Sequence, residues 1–224
     1  TAVAGRVDII AHVGALDTAT AQRLAEHAAD LGVDAIAAVP PFYFRVDDAA
    51  LFEHYRLIAD AAGGTPVFLY NIPTATGVEI TAATMAKLIK NPAVRGIKYT
   101  SSNFYDMRII IELAPGELTV LSGSDEVCIA GLAMGAHGAI GSTYNVMPAT
   151  FAALYQAFRA GDLAEAQEFQ FRANRVIKAL LSVPLIAGLK VILSSWGYDC
   201  GGPRRPQRPI TADERALLLD AVAA

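Results

Sequence analysis

Short runs of β-branched and other apolar residues alternate along the chain with longer segments whose apolar residues recur every three or four positions. The short runs predict strands, and the longer segments predict amphipathic helices. Six runs have the strand pattern: residues 7–13, 35–39, 67–71, 94–100, 118–123 and 138–143. Each run is almost continuously apolar, which is typical of parallel strands covered on both faces.

Capping residues indicate where several helices begin. A side-chain oxygen just before a helix can accept a backbone N–H of the first turn, and three places offer one: Asp17 or Thr18, Asp47 or Asp48, and Thr81. After the last strand the pattern predicts helices at 148–160, 163–181 and 185–196, and a final helix from residue 212. The chain is therefore a series of βα units followed by a helical region.

Consecutive βα units are compatible with a doubly wound sheet or with a (β/α)8 barrel. Gly135, Gly138 and Gly141 are spaced GxxGxxG and lead into a strand rather than a helix, so they do not form a dinucleotide-binding fingerprint. We therefore expect an α/β fold of the TIM-barrel type. Six strands are visible where eight close the ring, and six would leave two apolar edges unpaired.

Composition excludes several classes of protein. With 54% hydrophobic and 18% charged residues and a mean hydropathy of +0.37, the chain is too apolar to be disordered and lacks collagen or coiled-coil composition. The net charge of −4 and the absence of Lys and Arg clusters beyond Arg204-Arg205 argue against a nucleic-acid partner.

Two further patterns bear on membranes and metals. The most apolar stretch, residues 176–193, is interrupted by Lys178, Pro184 and Lys190, so it lacks the roughly 20 apolar residues of a membrane span. Cys128 and Cys200 are too few for a disulfide framework and are outside any CxxC motif. The four histidines share no ligand spacing. We expect no membrane association, reduced thiols in the cytoplasm and no metal.

Active sites of barrels are built at the carboxyl ends of the strands. Four predicted strands end in chemically distinctive segments: Tyr70-Asn71-Ile72-Pro73, Lys98-Tyr99-Thr100-Ser101, Gly123-Ser124-Asp125-Glu126 and Gly141-Ser142-Thr143-Tyr144-Asn145. We expect these segments to converge on one pocket.

Lys98 interrupts an otherwise apolar strand, where burial of an ammonium ion costs free energy unless the ion is paired or loses its proton. Burial favours the neutral amine, a nucleophile that can form a Schiff base with a keto substrate. Pairing of Lys98 with Asp125 or Glu126, or extension of its amine to solvent, explains the pattern equally well.

Two other features have a structural and a chemical interpretation. Tyr70 is either a core residue with a bonded hydroxyl or the phenol that relays protons in an imine mechanism. Asp125 and Glu126 are adjacent and so point to different sides, which favours recognition of substrate hydroxyls, or a helix cap, over an acid/base pair.

The four strand-end segments resemble, in order and spacing, the N-acetylneuraminate lyase branch of the dihydrodipicolinate synthase superfamily. Pro41-Phe42-Tyr43 and Gly188-Leu189-Lys190 are similar to further landmarks of that family, and the resemblance extends over essentially the whole chain. It implies that the first visible strand is the family's third. The barrel would then lack its first two βα units, residues 1–146 would provide strands three to eight, and residues 147–224 would form a helical region packed on the barrel.

The resemblance also implies roles for individual residues. Lys98 would form the Schiff base, Tyr70 would transfer the proton, and Tyr43 would reach the active site of a neighbouring subunit in a homotetramer. The residues implied to contact the sugar portion are Thr100, Gly123, Asp125, Glu126 and Ser142. The implied reaction is cleavage of N-acetylneuraminate to N-acetylmannosamine and pyruvate, with no metal or organic cofactor because the lysine supplies the electrophile.

Related activities remain open at this point. Synthases of the superfamily usually carry an arginine two residues after the proline of the Tyr-Asn-x-Pro motif, where this chain has Ala75, so the lyase is favoured over the synthase. Sugar-acid aldolases and hydratase-aldolases have the same fold. The family's Gly-Ser/Thr-Thr-Gly-Glu loop, which holds the substrate carboxylate, does not occur in this sequence. An inactive fragment or a binding subunit is therefore a further alternative.

Overall fold

The computed structural model describes residues 3–223. Six parallel strands pair in chain order in one sheet. They are β1 (Ile10–His12), β2 (Ala35–Ala38), β3 (Val67–Asn71), β4 (Val94–Tyr99), β5 (Thr119–Ser122) and β6 (Gly138–Ala139). The six predicted strands are confirmed. β1 and β6 are shorter than the predicted runs 7–13 and 138–143, and after β6 the chain enters a 3₁₀ turn at Ser142–Asn145.

Helices follow the strands in the predicted alternation. They are α1 (Thr18–Asp30), α2 (Asp48–Ala61), α3 (Pro73–Thr76), α4 (Ala82–Leu88), α5 (Phe104–Leu113), α6 (Cys128–Ala133), α7 (Pro148–Arg159), α8 (Leu163–Leu181), α9 (Leu185–Ser195) and α10 (Ala212–Ala223). A second 3₁₀ turn, Asp125–Val127, precedes α6. Asp17, Asp47 and Thr81 are the N-caps, and each accepts a backbone N–H three residues further on.

The two faces of the sheet differ in burial. On one face Ile36, Leu69, Ile97 and Val120 are fully buried and form the core together with apolar residues of the helices. Side chains on the other face are half-buried; they include Ala37, Phe68, Tyr70, Lys98 and Leu121. The expectation that both faces are fully covered is therefore not met over residues 3–223.

The fold separates into two compact units. The strand unit comprises the described residues up to Ser124 together with Gly131–Ala139, and it contains the whole sheet. The helical unit comprises Asp125–Ala130 and the described residues from Ile140 onward, and it contains both 3₁₀ turns and α7 to α10. The expected division of the chain at residue 146 stays a prediction.

Helix α8 is the central element of the helical unit, since it packs against α7, α9 and α10. Its apolar stripe is buried at Ala166, Ala173, Ile177 and Leu180, as the helical period requires. No single helix within residues 3–223 is long and apolar enough to cross a bilayer; α8 and α9 together meet that length and composition, across a bend of 113°.

Candidate active site

Tyr70 and Lys98 lie at the carboxyl ends of adjacent strands, where β3 and β4 pair in register at these two residues. Paired residues of neighbouring strands point to the same face, so both side chains emerge from the half-buried face of the sheet. Lys98 Nζ donates a hydrogen bond to Tyr70 Oη over 2.8 Å and lies 4.0 Å from the centroid of the phenol ring. The amine and the phenol are thus close enough to exchange a proton through one hydrogen bond.

Asn71 follows Tyr70 and points to the opposite face, because side chains alternate along a strand. It is fully buried, and its Oδ1 accepts the backbone N–H of Ile80 over 2.9 Å. Asn71 also accepts the backbone N–H of Thr100 at its carbonyl oxygen. The Tyr-Asn pair therefore combines a side chain that is hydrogen-bonded to Lys98 with one that holds the neighbouring segments in place.

His12 belongs to this group, although the sequence analysis assigned it no role. It is the last residue of β1, and its ring meets the ring of Tyr70 edge to face at a centroid distance of 5.9 Å. His12 is exposed to solvent, but the protein covers part of its surroundings. This partial burial, followed by the charge of Lys98, lowers the pKa of the imidazole. The strand-end rule that selected Lys98 also applies to His12 and could have found it.

Thr100 and Gly123 line the same region of the strand unit. The side-chain oxygen of Thr100 is buried and lacks a hydrogen-bond partner within the described part of the chain. A side chain at position 123 would collide with that oxygen, and its Cβ would lie 3.0 Å from Lys98 Cε. Gly123 is therefore required for the close approach of β5 to Lys98 and Thr100.

The helical unit contains three more of the predicted site residues. Asp125 is 7% exposed, and its Oδ2 accepts the backbone N–H of Thr143 over 2.9 Å and the hydroxyl of Thr143 over 2.7 Å. A Cβ on Gly141 would overlap the Asp125 carboxylate, so this glycine makes room for it. Ser142 and Glu126 are exposed. The carboxylate thus caps the turn Ser142–Asn145, whereas the sequence suggested a cap on the helix that follows Asp125.

Tyr43 lies on an exposed segment between β2 and α2. It is 77% exposed, and its ring packs edge to face against Phe44, which is 76% exposed. Contact of Tyr43 with a neighbouring subunit stays a prediction.

The structure therefore brings Lys98, Tyr70, Thr100 and Gly123 together in the strand unit and adds His12 to them. In residues 3–223 no group of three or more His, Cys, Asp or Glu side chains could hold a metal ion. This arrangement can support covalent catalysis in which a lysine amine is the nucleophile and a phenol moves the proton.

Comparison with known proteins agrees with this chemistry. The chain matches the dihydrodipicolinate synthetase family over residues 1–224. It is 41% identical over 222 residues to an N-acetylneuraminate lyase of Rhizobium meliloti, covering 99% of this chain and 73% of the relative. It is also 41% identical over 189 residues to an N-acetylneuraminate lyase of Salmonella typhi, covering 84% of this chain and 63% of that protein. The chain thus spans less than two thirds of the length of some curated relatives.

Solved structures show the same relationship. The wild-type sialic acid aldolase of Ruminococcus gnavus superimposes with a TM-score of 0.95 at 35% identity, over 98% of this chain and 74% of that chain. A dihydrodipicolinate synthase of Bacillus anthracis superimposes with a TM-score of 0.93 at 30% identity, over 99% of this chain and 76% of that chain.

Proposed function

Because the chain belongs to the dihydrodipicolinate synthetase family, we propose that it is a Schiff-base aldolase that cleaves N-acetylneuraminate to N-acetylmannosamine and pyruvate. The observation that carries this proposal is the hydrogen bond of 2.8 Å between Lys98 Nζ and Tyr70 Oη. An amine nucleophile needs a partner that moves protons on and off the reacting atoms, and this phenol is within reach.

In the proposed reaction, Lys98 Nζ attacks the keto carbon of the open-chain sugar acid. One of the two protons of the attacking amine passes to the carbonyl oxygen, which leaves as water when it receives a second proton. Tyr70 protonates that departing oxygen and is then the phenolate that accepts the hydroxyl proton of the carbon to be released. The substrate carboxylate assists this transfer. As the carbon–carbon bond breaks, its electron pair moves into the protonated imine, which acts as the electron sink. N-acetylmannosamine leaves, and the remaining enamine is protonated and hydrolysed to pyruvate and free Lys98.

Substrate recognition is the role we infer for the other predicted site residues. Thr100 and Gly123, which the resemblance implies contact the sugar portion, lie beside Lys98, and this position supports contact with the substrate close to the imine. Asp125, Glu126 and Ser142 are inferred to contact the sugar portion, on the strength of the resemblance to the lyases.

We infer that the six strands correspond, in order, to strands three to eight of a (β/α)8 barrel. The sequential, all-parallel sheet and the superposition on the Ruminococcus gnavus enzyme support this assignment. We further infer a homotetramer in which the exposed Tyr43 contributes to a neighbouring active site. The free Cys128 and Cys200 are compatible with the reducing cytoplasm as its location.

Borohydride reduction in the presence of pyruvate tests the covalent step. We expect a stable adduct on the peptide that contains Lys98, and none in Lys98→Arg, whose guanidinium cannot form the imine. Lys90→Arg is the matched control at an exposed lysine and should be modified like the unaltered protein. An adduct elsewhere, or its persistence in Lys98→Arg, would contradict the mechanism.

A second assay distinguishes members of the family. We expect release of pyruvate from N-acetylneuraminate, and little condensation of pyruvate with aspartate semialdehyde, because Ala75 stands where the synthases usually carry arginine. Preference for the semialdehyde would instead identify a dihydrodipicolinate synthase, which is the name of the structural neighbour from Bacillus anthracis.

A further inference from the structure

Gln170 is a buried polar residue within the apolar stripe of α8, with 3% of its surface exposed. Buried amides are costly unless all their hydrogen-bonding groups are satisfied. The partners of Gln170 therefore indicate why a polar side chain occupies this position.

Three hydrogen bonds connect α8 to the residues around the turn Asp125–Val127, and a fourth joins the two α8 side chains that make them. Gln170 Oε1 accepts the backbone N–H of Ile129 over 3.0 Å, and Gln170 Nε2 donates to the carbonyl oxygen of Asp125 over 3.0 Å. Gln170 Nε2 also donates to Asn174 Oδ1 over 3.0 Å, and Asn174 Nδ2 donates to the carbonyl oxygen of Glu126 over 3.0 Å.

These partners determine the orientation of both amides. A backbone N–H can only donate and a backbone carbonyl can only accept, so Gln170 must turn its oxygen to Ile129 and its nitrogen to Asp125. Gln170 and Asn174 are four residues apart and lie on the same face of the helix, which allows each to support the other. The backbone from Asp125 to Ile129 is thereby attached to α8 at three points.

We propose that Gln170 and Asn174 are positioning residues that set recognition of the sugar portion of the substrate by holding the backbone that carries Asp125 and Glu126. This inference rests on the proposed function, in which those two acids contact the sugar. With the backbone fixed, the Asp125 carboxylate reaches Thr143 and the Glu126 side chain is left exposed.

Imine formation and recognition of the sugar then depend on different groups of residues. Lys98 and Tyr70 belong to the strand unit, whereas the four hydrogen bonds around Gln170 all join residues of the helical unit. Loss of these bonds should therefore weaken binding of the sugar acid and leave imine formation with pyruvate intact.

The test compares Gln170→Met, which keeps the volume but removes all three bonds of the amide, with Asn174→Ala at a half-buried position. Gln167→Met is the matched control, since it makes the same substitution at an exposed glutamine of the same helix. Each protein is measured for kcat and KM with N-acetylneuraminate and for the rate of borohydride trapping with pyruvate at Lys98. Melting temperatures show which variants are folded, and Asn174→Ala keeps the test valid where Gln170→Met unfolds.

We expect KM for N-acetylneuraminate to rise about tenfold in Gln170→Met, equivalent to about 1.4 kcal/mol, and about threefold in Asn174→Ala. Trapping of pyruvate should stay within about twofold of the unaltered protein in both variants, because the residues at Lys98 are unchanged. Gln167→Met should behave like the unaltered protein.

Unchanged KM in the folded variants would overturn the proposal, and so would a parallel loss of trapping and cleavage, since that indicates a general structural effect. If the unaltered protein neither traps pyruvate nor cleaves N-acetylneuraminate, the proposed function itself fails and this inference fails with it.

Discussion

Replacing Tyr70 with phenylalanine removes the hydroxyl that accepts the hydrogen bond from Lys98 and leaves the ring in place. The ring contacts with the Lys98 amine at 4.0 Å and with His12 at 5.9 Å do not involve the hydroxyl, so the packing of the site should persist. The substitution therefore isolates the proton-transfer role proposed for the phenol.

A positioned acid or base usually contributes about 10²- to 10⁴-fold to the rate of a step. We therefore expect kcat for N-acetylneuraminate cleavage to fall by that factor in Tyr70→Phe, equivalent to about 2.7–5.4 kcal/mol of transition-state stabilisation. The cost to folding should be small, about 1 kcal/mol, because a single hydrogen bond of a half-buried residue is lost.

Steady-state kinetics, with borohydride trapping of pyruvate as a second readout, measures this effect. We expect slower trapping too, since in the proposed reaction Tyr70 also protonates the oxygen that leaves during imine formation, but the adduct should still map to Lys98. Tyr105→Phe makes the same change at a tyrosine that is 75% exposed and should leave kcat unaltered. A fall in kcat of less than about threefold in Tyr70→Phe would refute the assignment of Tyr70 as the proton-transferring group.

Three other predictions concern the same chain. Burial lowers the pKa of His54 from 6.5, so the unfolded chain binds more protons than the folded one below that pH. The free energy of unfolding, measured with urea, should therefore fall as the pH drops from 7 to 5. The fall should be less steep in His54→Gln, which removes the titrating group. Gly123→Ala places a methyl group against the Thr100 hydroxyl and should slow pyruvate trapping about tenfold, equivalent to about 1.4 kcal/mol of activation free energy. Trapping at the normal rate would show that the close approach is dispensable. Mass spectrometry after brief treatment with a thiol reagent should find Cys200 modified and Cys128 protected, because Cys128 is 4% exposed and burial raises the pKa of its thiol. Equal labelling of the two cysteines would contradict the burial of Cys128.

Much of the strand unit could be predicted from local patterns. Apolar runs, capping side chains such as Asp17 and Asp47, and the alternation of the two kinds of segment indicate strands and helices because these signals act over a few residues. The pairing of Lys98 with Tyr70 was also accessible, since both end neighbouring parallel strands and such ends meet at one edge of a sheet.

Other features depend on contacts between distant segments. His12 and Tyr70 meet although their strands are separated by β2, so their ring contact depends on how the sheet is curved and twisted. Residue spacing carries no information on that curvature. The expectation that both faces of the sheet are covered was wrong for residues 3–223. An apolar run shows that a face can be buried, but it does not identify the segment that buries it.

Local period and residue chemistry are enough to predict the order of strands and helices, the caps and the candidate amine and phenol. What the polar side chains hold depends on contacts that form only in the folded chain. Asp125 caps a turn that begins 17 residues later, and Gln170 binds the backbone at Asp125 across 45 residues of sequence. Every residue has a backbone carbonyl, and every residue except proline has a backbone N–H, so the sequence contains no pairwise signal for these contacts. They form only when the helix and the turn come together.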